Sequence, residues 1–557
     1  MTRTSDKTTQ GAIRSKQTTP YNQSISLGEH IRFLLAERGV AFPSCPRWPA
    51  DVFAVATSLL ARAGAYASIL NSWPPAGAKK PWTGEVKRIA RGWRQDWQKT
   101  PSEIVSGWNF LGGYDRLPVH EICHDKSLIE QLVLLSSVAD ETCVHVGIPI
   151  QWKSLGRTES EFYLKAQRLI RPKARGSTLC ERISPTRVRV LPKMHTPQSG
   201  MTIRSLSLNL ALVLSDEIVP KWHFLPQPLQ GDAFNVLVVP WPFVIPNGSI
   251  HECEANSDEL GNMPPHFGFF TFDPVSGDGP APLIEKLLQS RALKGERIHA
   301  LVLPELALTP SQFDSLAVVA KSRDMHLIAG VCVQRGPGEF SKNEVRFASP
   351  DYVTFAQQKH HRWKLNDKQI KAYKLGHYLD PTREWWEHID ISSREFNFFA
   401  LGDGLVISAL ICEDLARPDP VGDLLRAVGP NMVFALLMDG PQVDWRWPGR
   451  YAASLAEDPG SSVLSVTSLG MSLRSKRPKN DRSRVAALWR SPSGQWKEIE
   501  IAEPYNAVLL SFDRRKKQEW AVDGRDDDGQ GAYLHLKSKR KVQLKHPKNS
   551  KGIDKRG

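Results

Sequence analysis

Several things are scarce in this 557-residue chain. No apolar run approaches the roughly 18 to 20 residues that crossing a bilayer takes. The longest, such as SLNLALVL and LVISALIC, are the size of core segments. The first two dozen residues are rich in Thr, Ser, Gln and Lys and hold no apolar stretch of the kind a secretory signal carries. The expectation is therefore a soluble, cytoplasmic protein without a membrane partner, whose residues 1–24 form a disordered tail. The seven cysteines are an odd set with no CxxC pair. That argues against a disulfide framework and for a reducing compartment, so any cysteine chemistry would use a free thiol. His120, Cys123, His124, Cys143 and His145 are too irregularly spaced for a zinc site, and DGRDDDGQG lacks the residue order of a calcium loop. No metal is expected, and the acidic segment reads as a hydrated turn. Internal repeats are also missing.

What is present is size and positive charge. A chain of this length needs more than one hydrophobic core, and 41% hydrophobic residues can fill them. The net charge of +14 points to an anionic partner without saying anything of the fold. Much of it gathers beyond Arg514, in RRKK and KSKRK.

Residues 25–230 read as a mainly helical, basic domain of unknown function. SLGEHIRFLLAERG and PADVFAVATSLLARAGAYASIL have helical patterning, with Asp51 placed to cap the second after Pro49. In GEVKRIARGWRQDWQK, Val86, Ile89, Ala90, Trp93 and Trp97 share one helical face, and Lys87, Arg88, Arg91 and Arg94 share the other. A core stripe with a solvated basic face explains this; a nucleic-acid-binding helix is the sharper alternative. TRVRVLPKMH and SLSLNLALVL flank TPQSG as a hairpin-like element. FLPQPLQGDAFN, near 225 to 235, reads as a linker.

From there strands alternate with helices, which implies a layered α/β domain over 232–518 with functional residues at the carboxyl ends of strands. Residues 519–557 are expected to be a basic tail. Three strand ends carry reactive groups. Glu305 follows the apolar run LVLP, Lys359 sits in FAQQKHH, and Cys412 ends SALIC. A thiol flanked by a carboxylate base and an ammonium is what covalent cleavage of an amide or nitrile requires. Glu413 and Asp414 follow Cys412 directly, and a facing carboxylate would suppress the thiolate. Alternation along an extended strand would turn Glu413 to the opposite face, leaving its backbone N–H for an oxyanion. Cys45, Cys180, Cys253 and Cys332 read as packing residues.

These segments resemble the nitrilase superfamily of carbon–nitrogen hydrolases. LVLPELAL is similar to the family's strand ending in Pro-Glu, NEVRFASPDYVTFAQQKHHRW to its Asn-led strand, turn and lysine strand, and ALICEDLARP to its nucleophile motif. GPNMVFALLM, RYAASLAEDPGSSVLSVTSLG and RVAALWRSPSGQW resemble the closing elements, although Thr467 to Gly470 stand where the family often has Asn near Gly. The resemblance implies a nitrilase-like αββα sandwich, a Glu305, Lys359, Cys412 triad, a thioester mechanism without a cofactor, a small amide or nitrile substrate, and pairing of sandwiches in a homodimer or higher oligomer. It also implies a second glutamate near an unusually long insertion after Lys359, with Glu384 and Glu387 both eligible. Lys364, Lys371 and Lys374 lie in that insertion and compete with Lys359. A regulatory or phage-defence-associated module that binds a ligand or a nucleic-acid-containing partner through its basic segments is the alternative reading.

Overall fold

A computed structural model describes residues 25–543 apart from 73–78, 151, 153–154, 173–176, 226–232, 254–263, 265, 337–338, 352 and 476–483. The expected tail 1–24, residues 544–557 and most of the expected linker lie outside the described residues.

Two seven-stranded sheets form the centre. In chain order their strands are β1 (Val219–Leu225), β2 (Ala233–Val238), β3 (Ala300–Val302), β4 (His326–Val333), β5 (Lys342–Ala348), β6 (Thr354–Gln358), β7 (Glu395–Leu401), β8 (Val406–Ile411), β9 (Met432–Leu437), β10 (Ser462–Thr467), β11 (Val485–Arg490), β12 (Trp496–Glu500), β13 (Ala507–Lys516) and β14 (Ala532–Val542). One sheet runs β6-β5-β4-β3-β2-β13-β14 and the other β12-β11-β10-β9-β8-β7-β1. Their central strands are parallel, and helices link them as βαβ units.

The side-chain alternation of a strand explains the layering. In β8 and β9, Ile407, Ala409, Ile411, Phe434 and Leu436 face the other sheet, where they meet Val236, Val238 and Ile328. Val406, Leu410, Val433 and Ala435 face outward onto the helices Gly422–Val428 and Trp447–Glu457. The other sheet buries its outer face under Ala281–Leu288 and Pro310–Lys321, the second opened by a Thr309–Gln312 capping box. Because both faces are covered, these strands read as continuous apolar runs. The result is the expected α/β sandwich of αββα layers.

The N-terminal helices add a further layer. Leu27–Leu35, Pro49–Arg62, Lys79–Gln95, Ser102–Gly112, Lys126–Thr142 and Arg157–Ile170 share one apolar cluster with the outer face of the β8-containing sheet. Val86, Ile89, Ala90 and Trp93 are buried as their spacing implies. Of the four cations opposite, Lys87 pairs with Asp528, Arg88 with Glu85 and Glu103, and Arg94 with Glu159. That face is largely neutralised from within. The hairpin is also present, Arg189–Pro192 pairing with Leu210–Val213.

Three local expectations need correcting. Asp51 does not cap its helix. Trp48 occupies the cap position, and buried Asp51 instead accepts the backbone N–H groups of Glu181, Arg182 and Ile183. The sandwich also reaches past both expected boundaries. β1 lies before residue 232 yet pairs with β7, and β14 lies in the expected basic tail yet pairs with β13 along its length. β14 looked like a tail because its outward positions carry Lys537, Lys539, Arg540 and Lys541, as solvent-facing edge strands often do. The acidic segment before it is no hydrated turn. Arg525 is fully buried, with Asp523 at 2.6 Å, Asp140 at 3.0 Å and Glu141 at 3.1 Å. Asp140 also accepts the N–H groups of Leu208, Asn209 and Leu210.

Removing the buried cation that bridges these three carboxylates leaves them without their central partner, which typically costs about 3–5 kcal/mol. Arg525→Met is therefore expected to lower unfolding stability by about that much in a urea titration. A change below about 1 kcal/mol would show that water already screens the cluster.

Candidate active site

Glu305 follows β3 at Leu303-Pro304, where the chain leaves the sheet over its neighbour β4. This crossing is close. A Cβ on Gly330 would lie 2.4 Å from the Glu305 Cα, and the Gly330 N–H donates to Pro304 O at 3.0 Å. Only a glycine in β4 lets the carboxylate-bearing segment lie so near. Lys359 follows β6 directly, its N–H bonded to Asn343 O in β5 at 2.9 Å.

The side chains converge. Lys359 Nζ donates to Glu305 Oε1 at 2.9 Å and to Glu387 Oε2 at 2.7 Å. Asn343 Nδ2 bridges the same two carboxylates, 2.8 Å from Glu305 Oε1 and 2.9 Å from Glu387 Oε1. All four residues are buried. The structure thus separates the two eligible glutamates. Glu387 lies in the cluster, whereas Glu384 is half-exposed and paired with Lys364 at 2.5 Å. Lys371 pairs with Asp367 at the surface and Lys374 is exposed, so of the competing lysines Lys359 alone reaches the carboxylates.

The insertion after Lys359 supplies Glu387. It folds into the strand Lys364–Leu365, the helix Asp367–Ala372 and the strand Glu384–Glu387, which pairs in parallel with Phe267–Phe272. Ile370, Tyr373, Leu375 and Trp385 pack with Met438 and Met471 into a separate small core beside the site.

Cys412 begins a 3₁₀ turn at the end of β8, with φ +45°. This corrects the extended-strand picture of the cysteine motif. A left-handed backbone at a non-glycine residue costs on the order of 1–3 kcal/mol, and here it turns the chain sharply after the sheet. That turn, rather than strand alternation, parts the acids from the thiol. Glu413 pairs with Arg417. Asp414 turns inward, accepting the His360 N–H at 3.1 Å and lying 2.8 Å from His361 Nδ1.

The electrostatics follow from burial. Burial raises the Glu305 pKa and the charge of Glu387 adds to it, against the pull of Lys359 and Asn343. For Lys359, burial would favour loss of the proton, but Glu305 and Glu387 overcome it and keep the ammonium charged. The Cys412 thiol is pushed well above its ordinary value, first by burial and then by Glu305 and Asp439, with Lys359 and the Met438 backbone N–H opposing. Glu305 Oε2 is buried with no hydrogen-bond partner, a free acceptor within a site that holds a charged donor and a thiol.

Sequence reasoning nominated Glu305, Lys359 and Cys412 but passed over several of their supports. Asn343 was visible only as the residue leading its strand, and Asp439 and Tyr373 carried no motif. Asp439 follows β9, accepts from the Tyr373 hydroxyl and from Arg446 at 2.9 Å, and leaves its buried Oδ2 unpartnered. Of the histidines and cysteines weighed for zinc, Cys143 lies in the helical core and His145 contacts Gln530. Among the described residues no three metal-ligating side chains come together.

No protein-family model and no curated protein matches this chain. Solved structures similar to it are members of the nitrilase superfamily, each over about half of the chain. Nit3 of Saccharomyces cerevisiae is 11% identical over 52% of this chain and 93% of its own, with a TM-score of 0.32. A mutant Nesterenkonia amidase, with the acetamide moiety of fluoroacetamide added covalently at its active-site cysteine, is 13% identical over 52% of this chain and 92% of its own, TM-score 0.31. A Helicobacter pylori carbon–nitrogen hydrolase is 12% identical over 50% and 89%, TM-score 0.30.

Asp414 offers a pH test of the cysteine turn. Burial alone would raise its pKa, but hydrogen bonds from His360 and His361 prevail and hold it below the ordinary 3.8. A depressed carboxylate pKa stabilises the fold above the unfolded value and loses that contribution as pH falls through the folded one. Asp414→Asn is therefore expected to unfold at lower temperature than the parent near pH 6. The gap should shrink as pH drops below about 4, as followed by circular dichroism melts; a gap that widens in acid would contradict this assignment.

Proposed function

We propose that this chain is a cysteine-dependent hydrolase of a non-peptide C–N bond, an amide in preference to a nitrile. The observation that carries this reading is the free Glu305 Oε2 in a buried site whose other oxygen is held by Lys359 and Asn343. One oxygen is fixed by an ammonium and an amide N–H while the other is left to move a proton.

In the proposed reaction Cys412 Sγ attacks the amide carbonyl carbon as its proton passes to Glu305 Oε2. The C–S bond forms, the carbonyl π pair moves to oxygen, and Lys359 stabilises that oxyanion with a backbone N–H of the Cys412 turn. The oxyanion then re-forms the carbonyl, the C–N bond breaks, and Glu305 returns the proton to the departing nitrogen. Water, deprotonated by Glu305, attacks the resulting thioester; the C–S bond breaks, the thiol is restored and a carboxylic acid leaves. The raised Glu305 pKa suits a group that both accepts and donates a proton. The raised Cys412 pKa fits a thiol deprotonated only as it attacks, not a standing thiolate. Glu387 supports the reading as a positioning residue, since it shares the Lys359 ammonium and accepts the Trp363 N–H at 3.1 Å.

Incubation with a library of small amides should give an acyl adduct on Cys412 by intact mass, absent from Cys412→Ala. With any amide so found, Lys359→Met should lower turnover by about a hundred- to thousand-fold, the usual cost of losing an oxyanion donor. Lys374→Met should change it less than about threefold, since an exposed lysine outside the cluster has no such role. Product formation by Cys412→Ala, or loss of activity in Lys374→Met with Lys359→Met intact, would overturn the assignment.

A further inference from the structure

A cavity of about 450 Å³ lies in the seam between the helical layer and the sandwich, away from Cys412. Its walls come from the segment after the helix Lys126–Thr142, from the hairpin, from the turns before β8 and β9, and from the end of β13. β8 and β9 pair in parallel from Ile407↔Met432 to Ile411↔Leu436. The cavity touches Gly404 and Asn431 at their amino ends, while Cys412 and Asp439 follow their carboxyl ends. Six strand residues at about 3.3 Å each put roughly 20 Å between the two places.

The lining is basic. His145, Lys193, His195, Arg514 and Lys516 line it, with Asp528 in the lining and Asp527 beside it, and the Lys193 ammonium is turned onto the backbone carbonyls of Arg204 and Ser207, so Arg514 and Lys516 carry the positive charge of the lining. Asp528 is held by Lys87 at 2.6 Å. Asp527 accepts the N–H groups of Gly529 at 3.0 Å and Gly531 at 2.6 Å. His195 Nε2 meets Asn209 at 3.2 Å, and its buried Nδ1 has no hydrogen-bond partner and lies 3.7 Å from Asp527. Burial holds His195 down at about 4, against the pull of Asp527, and Lys193 well below its usual range, against Asp140 and Glu519. Val146, Ile148 and Met194 make the remaining wall apolar. The volume is that of an ordinary small-molecule site.

We propose that this cavity is a second ligand site that takes a small phosphorylated molecule with an apolar body, of the nucleotide class, with its phosphates against Arg514 and Lys516 and its body against Val146 and Ile148. The Arg514 guanidinium and the Lys516 ammonium are suited to phosphate, and the apolar wall fits a ring system joined to it.

The full chain, titrated calorimetrically with ADP at low salt, should bind one molecule. Inorganic pyrophosphate should bind more weakly and adenosine not measurably. Arg514→Glu with Lys516→Glu should weaken ADP at least tenfold, whereas Lys539→Glu with Lys541→Glu, on the exposed face of β14, should change it less than twofold. Ile148→Trp, which fills the cavity without altering charge, should also abolish binding, each variant being checked by thermal melting. Cys412→Ala should bind ADP like the parent, which separates this site from the proposed hydrolase centre. Absence of binding by both ADP and pyrophosphate, equal loss in the two charge-reversed pairs, retention in Ile148→Trp, or loss in Cys412→Ala would each overturn the proposal.

Discussion

The arrangement around Cys412 depends on one buried ammonium. Lys359 is 1% exposed and lies within 3 Å of two carboxylates that are themselves buried. Without it, Glu305 and Glu387 would be like charges joined only through Asn343, and one would have to take up a proton. With it, the cluster holds two acids against one cation and keeps a protonic imbalance in a dry place. Such a cluster is a poor device for stability, since hydrophobic replacements of buried ion pairs are often neutral or stabilising. Its retention is better understood as a way to fix one oxygen of Glu305 and leave the other open.

The same economy appears in the backbone around it. Cys412 sits at φ +45°, Leu306 after Glu305 at φ +52°, and Gly330 allows the Glu305 segment to lie on β4. Glu305 Oε2, Asn343 Oδ1 and Asp439 Oδ2 are buried in this neighbourhood without hydrogen-bond partners. Departures of this kind persist only where the surrounding packing holds them in place. Here the holding is done by sheet registers on one side and by the small core of the insertion on the other.

Much of the sandwich could be read from the chain because its strands are buried on both faces, so that VISALI and MVFALL appear as unbroken apolar runs bounded by helical segments. The three strand-end residues could be read for a related reason, since each is where such a run stops. Glu387 could not be chosen over Glu384, because both lie on one short strand, EWWE, and only the pairing of that strand with Phe267–Phe272 decides which carboxylate turns inward. The φ of Cys412 was also hidden, since a left-handed residue is expected at Gly or Asn and seldom at Cys. At the ends of the domain the failure was compositional. β1 carries Pro220 and Lys221 and β14 carries a run of Lys and Arg, so one edge strand was taken into the helical domain and the other imitated a tail.

Those two edge strands change how the helical layer relates to the sandwich. The chain after β13 does not leave the molecule; it crosses to the helices, where Arg525 joins Asp523 to Asp140 and Glu141 and Ser137 donates to Asp523, and then returns as β14. Asp140 in turn holds the backbone leading into the hairpin strand Leu210–Val213, so a single carboxylate ties a helix, a hairpin and the C-terminal crossing together. The outward side chains of β8 and β9 meet the same apolar cluster as the helices. A displacement of the helical layer must therefore either open that shared core or move the strands themselves, and these strands end at Cys412 and Asp439. The helices are in this sense part of the structure that holds the cysteine turn.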